Sequence, residues 1–214
     1  MLIQLTGLDK MGKSTLAAAL HAKIPGSILT KEPGSPHVPG NQDIRKIVLN
    51  DISLSPLERE LLFYADASKH KRFIETFKHE DTVISDRGLW CHLAYLKGYL
   101  KTAQIDYETY NLLKRLALSR VCARPDLIFY VRGSLELMKE RQKIDNAQKD
   151  AIEKNSDVFY AAVHNTYEDL YQDPISVSET YVLDALNPID SNVKTMINLI
   201  HSWRVKKDDE RRNR

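Results

Sequence analysis

The segment Gly7-Leu8-Asp9-Lys10-Met11-Gly12-Lys13-Ser14 reads G-x4-G-K-S, and it restricts the fold more than any other feature of the chain. It follows an apolar run at residues 2–6 of strand character and opens residues 14–23, whose spacing predicts a helix. A glycine-rich turn in that place aims backbone N–H groups at an anion, with the positive end of a helix behind them. The segment is therefore read as a phosphate-binding loop. Gly7 and Gly12 permit the turn, Lys13 neutralises the β- and γ-phosphates of a nucleotide, and Ser14 offers an oxygen to Mg²⁺, with Thr15 beside it.

The alternation continues to the end of the chain. Further strands are expected at 27–30, 82–85, 127–131 and 181–183, separated by helices at 43–49, 55–78, 89–99, 107–121, 135–143, 156–171 and 191–205. Parallel strands need crossovers, and crossovers are usually helices. The expected fold is α/β of the P-loop NTPase type: a five-stranded, mainly parallel sheet with helices on both faces and a short lid. One domain is expected over 1–205, with the lid at about 142–155 and a charged, disordered tail at 206–214. The lid segment is polar and free of aromatic residues, which suits a mobile stretch. Residues 32–40 hold three of the eight prolines and read as a stiff loop. Ligands of such sheets gather at the strand C-terminal ends, which here are followed by Gly7, Lys31, Asp86, Arg132 and Asp184.

Composition narrows the partners. The 214 residues carry a net charge of +2, and the basic tail accounts for the excess, so nothing supports a nucleic-acid surface. Two cysteines, Cys91 and Cys122, are too few for a disulfide framework and lie outside metal-binding spacings. No run has the length of a membrane span or a signal sequence. A cytoplasmic protein is expected.

A second chemical cluster stands at the end of the third expected strand, where Thr82-Val83-Ile84-Ser85 delivers Asp86 and Arg87 to the same edge as the phosphate loop. Asp86 is a candidate Mg²⁺ ligand, directly or through water, and the planar fork of Arg87 matches phosphates.

Together these residues resemble the thymidylate kinases. Thr30-Lys31-Glu32-Pro33-Gly34 is similar to that family's T-R-E-P-G, Leu61-Leu62-Phe63-Tyr64-Ala65-Asp66 to its L-L-F-x-A-D, Asp86-Arg87 to its D-R-Y, and Asp184-Ala185 to its adenine-side D-A. The motifs run in order over residues 1 to about 200. The resemblance implies transfer of the γ-phosphoryl of ATP, with Mg²⁺, to the 5′-phosphate of a pyrimidine deoxynucleotide, and a homodimer. By position it implies Asp9 near the acceptor phosphate and sugar, Glu32, Pro33 and Arg45 on the acceptor side, Phe63 stacked on the base, and Tyr95 where a 2′-hydroxyl would sit. Read from the residues alone, Phe63 and Tyr95 are equally core aromatics and Arg45 equally a solvated helix face.

The departures concern the base. The family arginine that reads the thymine O4 edge is Ala67 here, Gly88 replaces the family tyrosine and is expected to widen the pocket, and Cys91-His92 stands where relatives carry Ser or Asn. His92 is the candidate replacement donor. Lys10 stands where one class of the family places a catalytic arginine, and Arg141, Lys143 and Lys149 are candidate lid cations. Three other readings stay open: a broad-specificity deoxynucleoside monophosphate kinase, a nucleoside kinase, and a module that binds or hydrolyses ATP for regulation.

Overall fold

The computed structural model describes residues 1–77, 81–145, 150–172 and 178–212. Its centre is a five-stranded sheet of β1 (Leu2–Thr6), β2 (Ile28–Lys31), β3 (Val83–Asp86), β4 (Leu127–Arg132) and β5 (Glu179–Asp184) in the order β2-β3-β1-β4-β5, with every pair parallel. The expectation of a mainly parallel sheet becomes a wholly parallel one. Every residue of β1 is buried, as a central strand covered on both faces requires. Register places Leu5 beside Asp86 and Lys31 beside Asp86, so the loops leaving β1, β2 and β3 emerge at one edge.

The helices are α1 (Lys13–Lys23), α2 (Asn41–Asn50), α3 (Pro56–Phe77), α4 (Leu89–Lys101), α5 (Tyr107–Leu116), α6 (Leu135–Asp145), α7 (Asp157–Gln172) and α8 (Ile189–Arg212). Lys78, expected to close the third helix, lies outside the described residues. The helix expected over 107–121 ends early: Ala117–Val121 is a π-helical turn, and Ser119 has left helical geometry at φ −77°, ψ −136°. α8 continues to Arg212 through most of the stretch where a disordered tail is expected; 213–214 lie outside the described residues. An exposed stretch of mixed charge extends a helix as readily as it leaves one.

Apolar spacing alone does not mark the buried face of α3. Leu57 and Leu61, apolar residues at helical spacing, are exposed, while Glu60, Phe63, Tyr64, Ala67, His70 and Ile74 face inward. The inward stripe mixes apolar and ionisable residues because part of it lines a cleft.

α4 is buried around most of its circumference and packs lengthwise on α7. Gly98 is the point of closest approach: a Cβ there would meet the Phe159 ring at 2.6 Å. Alanine gains about 1 kcal/mol in helix propensity, but an added methyl in a close-packed contact costs ~1–3 kcal/mol. The net cost of up to about 2 kcal/mol means that Gly98→Ala is expected to lower the Tm by up to roughly 8 °C; a raised Tm in calorimetry would contradict this packing.

Candidate active site

The turn between β1 and α1 is built on Gly7, whose φ of 136° suits glycine and whose Cβ would lie 2.4 Å from the Val131 carbonyl oxygen. Gly12 caps α1 at φ 85°, and the loop closes around Lys13, whose Nζ donates to the Leu8 carbonyl at 2.5 Å. Burial and the nearby Arg87 charge bring the Lys13 ammonium down to about 8, and an incoming polyanion would reverse that. Ser14 donates its hydroxyl to Asp86 Oδ2 at 2.5 Å, while Asp86 Oδ1 is buried without a hydrogen-bond partner. An unpaired carboxylate oxygen beside a helix-start hydroxyl suits a hard cation that takes its remaining ligands from phosphate and water. Among the described residues no group of three or more His, Cys, Asp or Glu could hold a metal by itself.

Asp9, Arg87 and Tyr95 form a knot behind the phosphate loop. Arg87 Nη2 donates to Asp9 Oδ1, the Tyr95 hydroxyl donates to Asp9 Oδ2 at 2.7 Å, and the guanidinium lies 5.9 Å from the Tyr95 ring centroid. Burial alone would raise the Asp9 carboxyl, yet Arg87, Lys13 and Tyr95 hold it well below the usual carboxylate range. β1, β3 and α4 are thus joined at one buried charge.

One cavity of about 440 Å³ runs from Gly12, Lys13, Ser14 and Thr15 to an acceptor end formed by Glu32, Pro33, Arg45, Phe63, Arg87, Cys91, His92 and Tyr95. Asp9, Lys10 and Arg141 also line it. Gly7 lies beneath the loop, Asp86 stands behind Ser14, and Asp184 sits at the exposed end of β5, where it accepts the Leu186 amide. Arg45 donates to the Pro33 carbonyl at 3.0 Å, and Asp66 accepts the Gly34 amide at 3.0 Å, so α2 and α3 fasten the proline loop from two sides.

Arg141 bridges the Lys10 carbonyl (3.0 Å) and the Ala185 carbonyl (2.8 Å), joining the phosphate loop to the β5–α8 turn. Lys10, at φ 62°, pairs with Asp145 at 2.6 Å and Glu153 at 3.3 Å. In the expected lid, Ile152 is buried and the Ala151 amide donates to Leu49, so this part packs on the cleft wall instead of standing in solvent. Lys149 lies outside the described residues, and Lys143 does not line the cavity.

The base end differs from expectation. His92 donates Nε2–H to Glu32 Oε1 at 2.7 Å, and His70 donates Nδ1–H to Glu32 Oε2 at 3.0 Å; His70 Nε2 stands 2.7 Å from Thr30 Oγ1. Burial opposes both charges, but mutual pairing overrides it, bringing Glu32 down to about 2 and His92 up to about 9. His92 is therefore an imidazolium with one nitrogen already engaged. Gly88 lines the cavity, and a Cβ there would strike the Gln4 amide at 2.1 Å. Glu60, which no sequence motif singles out, is 1% exposed, lines the cavity, and has an Oε2 without a partner. Its signal in the sequence is its place three residues before Phe63, on the same helical face.

This fold and edge define a P-loop phosphotransferase. The family model for thymidylate kinase matches residues 5–197. The chain is 34% identical over 153 residues to a thymidylate kinase of Sulfurovum sp. (strain NBC37-1), covering 72% of this chain and 75% of that protein. It is 29% identical over 207 residues to a thymidylate kinase of Sulfurimonas denitrificans, covering 94% and 100%. Among solved structures, the thymidylate kinase of Candida albicans superposes with a TM-score of 0.73 at 24% identity over 95% of this chain and 92% of that one. A deoxyadenosine kinase from M. mycoides reaches 0.73 at 19% over 94% and 100%. The chain belongs to the thymidylate kinase family. No helix among the described residues is long and apolar enough to cross a membrane.

The Glu32 pairing gives a pH signature. His92, raised above its ordinary 6.5, adds stability that is whole below that value and is lost as pH climbs through about 9. Glu32, depressed from 4.5, adds stability that is whole above that value and is lost as pH falls toward about 2. The Tm advantage of the wild type over Glu32→Gln is expected to be greatest between pH 4.5 and 6.5 and to shrink toward pH 9. A constant difference in scanning calorimetry across that range would contradict the pairing.

Proposed function

We propose that this chain transfers the γ-phosphoryl of ATP to the 5′-phosphate of a pyrimidine deoxynucleotide, converting dTMP to dTDP and dUMP to dUDP. The observation that carries the reading is one cavity whose phosphate loop continues into an acceptor end with two arginines and a stacking aromatic. A regulatory ATP-binding module has no need of that second half. A nucleoside kinase needs a base at a 5′-hydroxyl, whereas Arg45 and Arg87 offer cations to an anionic acceptor.

The chemistry asked of the protein is positioning and charge stabilisation. The backbone amides of the phosphate loop and Lys13 hold the donor's β- and γ-phosphates; Arg141 stands at the adenine side with Asp184 beyond it. Ser14 and Asp86 would hold Mg²⁺, which supplies charge neutralisation across the donor phosphates. Arg45 and Arg87 grip the acceptor phosphate, so that its oxygen faces the γ-phosphorus in line. Asp9 keeps Arg87 oriented and, with Tyr95, closes the sugar's 2′ side; Phe63 stacks on the base, with Pro33 and Cys91 bounding the ring. Lys10 stands at the loop's crest, where charge develops on the transferring group. The segment around Glu153, packed on the cleft wall and paired with Lys10, shields the transferring group from water.

Exposed Leu57 and Leu61 on α3 support a homodimer built on that helix. A cytoplasmic enzyme acting on free nucleotides, with no nucleic-acid or membrane partner, completes the reading.

The test is a coupled assay of ADP release with ATP, Mg²⁺ and individual deoxynucleoside monophosphates. ADP formation is expected to depend on dTMP or dUMP, and Lys13→Ala is expected to lower kcat at least ~100-fold in a variant that calorimetry shows still folded, because the cation's main work is on the donor phosphates. Equal ADP release with and without an acceptor would remove the kinase reading in favour of the ATPase module.

A further inference from the structure

Three observations meet at the acceptor end. Glu60 is almost wholly buried, lines the cavity one helical turn before Phe63, and has a carboxylate oxygen with no hydrogen-bond partner. Burial raises the Glu60 carboxyl to about 7, and a ligand that brings it an N–H would hold it ionised. His92, from α4, stands with its ring 6.3 Å from that of Phe63 at 72°, an edge-type arrangement beside the ring proposed to stack on the base. Its Nε2–H is committed to Glu32, which leaves Nδ1 to meet a ligand, and as an imidazolium it can only donate. Ala67, fully buried two turns after Glu60 on the same face of α3, supplies no polar group.

The base edge therefore meets a donor from α4 and an acceptor from α3. We propose that the site also takes a 4-aminopyrimidine deoxynucleotide, dCMP, with Glu60 accepting from the exocyclic amino group and His92 donating to N3. This rests on the monophosphate-kinase reading above and extends it to a further acceptor. The choice of base follows from edge chemistry. In a 4-oxopyrimidine the single edge N–H, on N3, is recessed between two carbonyl oxygens whose lone pairs repel an approaching carboxylate. In cytosine the amino group projects past the ring, offers its N–H to the carboxylate, and adjoins a bare N3 that the imidazolium can fill. A carboxylate accepting from cytosine N4 is the pairing that base-edge readers use elsewhere.

The test compares dTMP and dCMP as acceptors for the wild type and for Glu60→Ala. The wild type is expected to phosphorylate dCMP with kcat/KM within about tenfold of that for dTMP. Glu60→Ala is expected to lose about tenfold or more on dCMP, mainly in KM, and less than about threefold on dTMP, since a single charged hydrogen bond to the base is being removed. A wild type that uses dTMP and refuses dCMP overturns the proposal while leaving the kinase reading intact; equal losses on both acceptors in the variant also overturn it. Activity on neither nucleotide removes the kinase reading and the proposal with it. A substrate-side measurement does not depend on the variant folding: the 2-pyrimidinone analogue of dCMP keeps N3 and lacks the amino group. With the wild-type enzyme it is expected to fall about tenfold or more below dCMP, and parity between the two would overturn the role of Glu60.

Discussion

The ion pair between the buried Asp9 and the half-buried Arg87 is the interaction on which the rest of the site depends. Asp9 belongs to the loop leaving β1 and Arg87 to the turn leaving β3, so the pair ties the donor side of the cleft to the acceptor side across adjacent parallel strands. Tyr95 brings α4 into the same knot. A charge taken out of water is tolerated only when it is paired and hydrogen-bonded, and Asp9 meets that condition through two partners. Arg87 itself stands at φ 77°, a backbone state uncommon for any residue but glycine. Rigidity there matters because the proposed chemistry asks the protein for geometry more than for reactive groups.

A second buried charge, Glu32, organises the acceptor end. In the resemblance the neighbourhood of residue 67 carries an arginine; here Ala67 is buried and neutral, and Glu32 finds its cation in His92. Changing the residue at one position therefore changes the job of another. His92 becomes a partner of Glu32 before it is a reader of the base, and Glu60, which lines the cavity, keeps a buried polar atom without a partner.

Local signals made the phosphate loop, the strand ends and the D-R pair legible in the sequence, since each lies within a few residues of a strand terminus. The five strands were legible for the same reason: buried parallel strands are short apolar runs. α3 was not. Its buried face includes Glu60, Asp66 and His70, and a pattern that assigns charged residues to solvent does not show such a face, while Leu57 and Leu61, at helical spacing, are exposed. Glu60 escaped for that reason, and no local rule links His70 on α3 to Glu32 on the proline loop. The π-helical turn at Ala117–Val121 and the continuation of α8 to Arg212 likewise depend on tertiary packing and on exposed charge, to which periodicity is blind.

The central claim is that donor and acceptor nucleotides occupy one continuous cleft, held together by the Asp9–Arg87 pair. Titration calorimetry with adenosine and thymidine joined 5′ to 5′ through five phosphates measures this directly. The account predicts one molecule bound per chain, with affinity weakened by prior saturation with either ATP or dTMP alone. Two molecules bound per chain, or competition by only one of the two nucleotides, would contradict it.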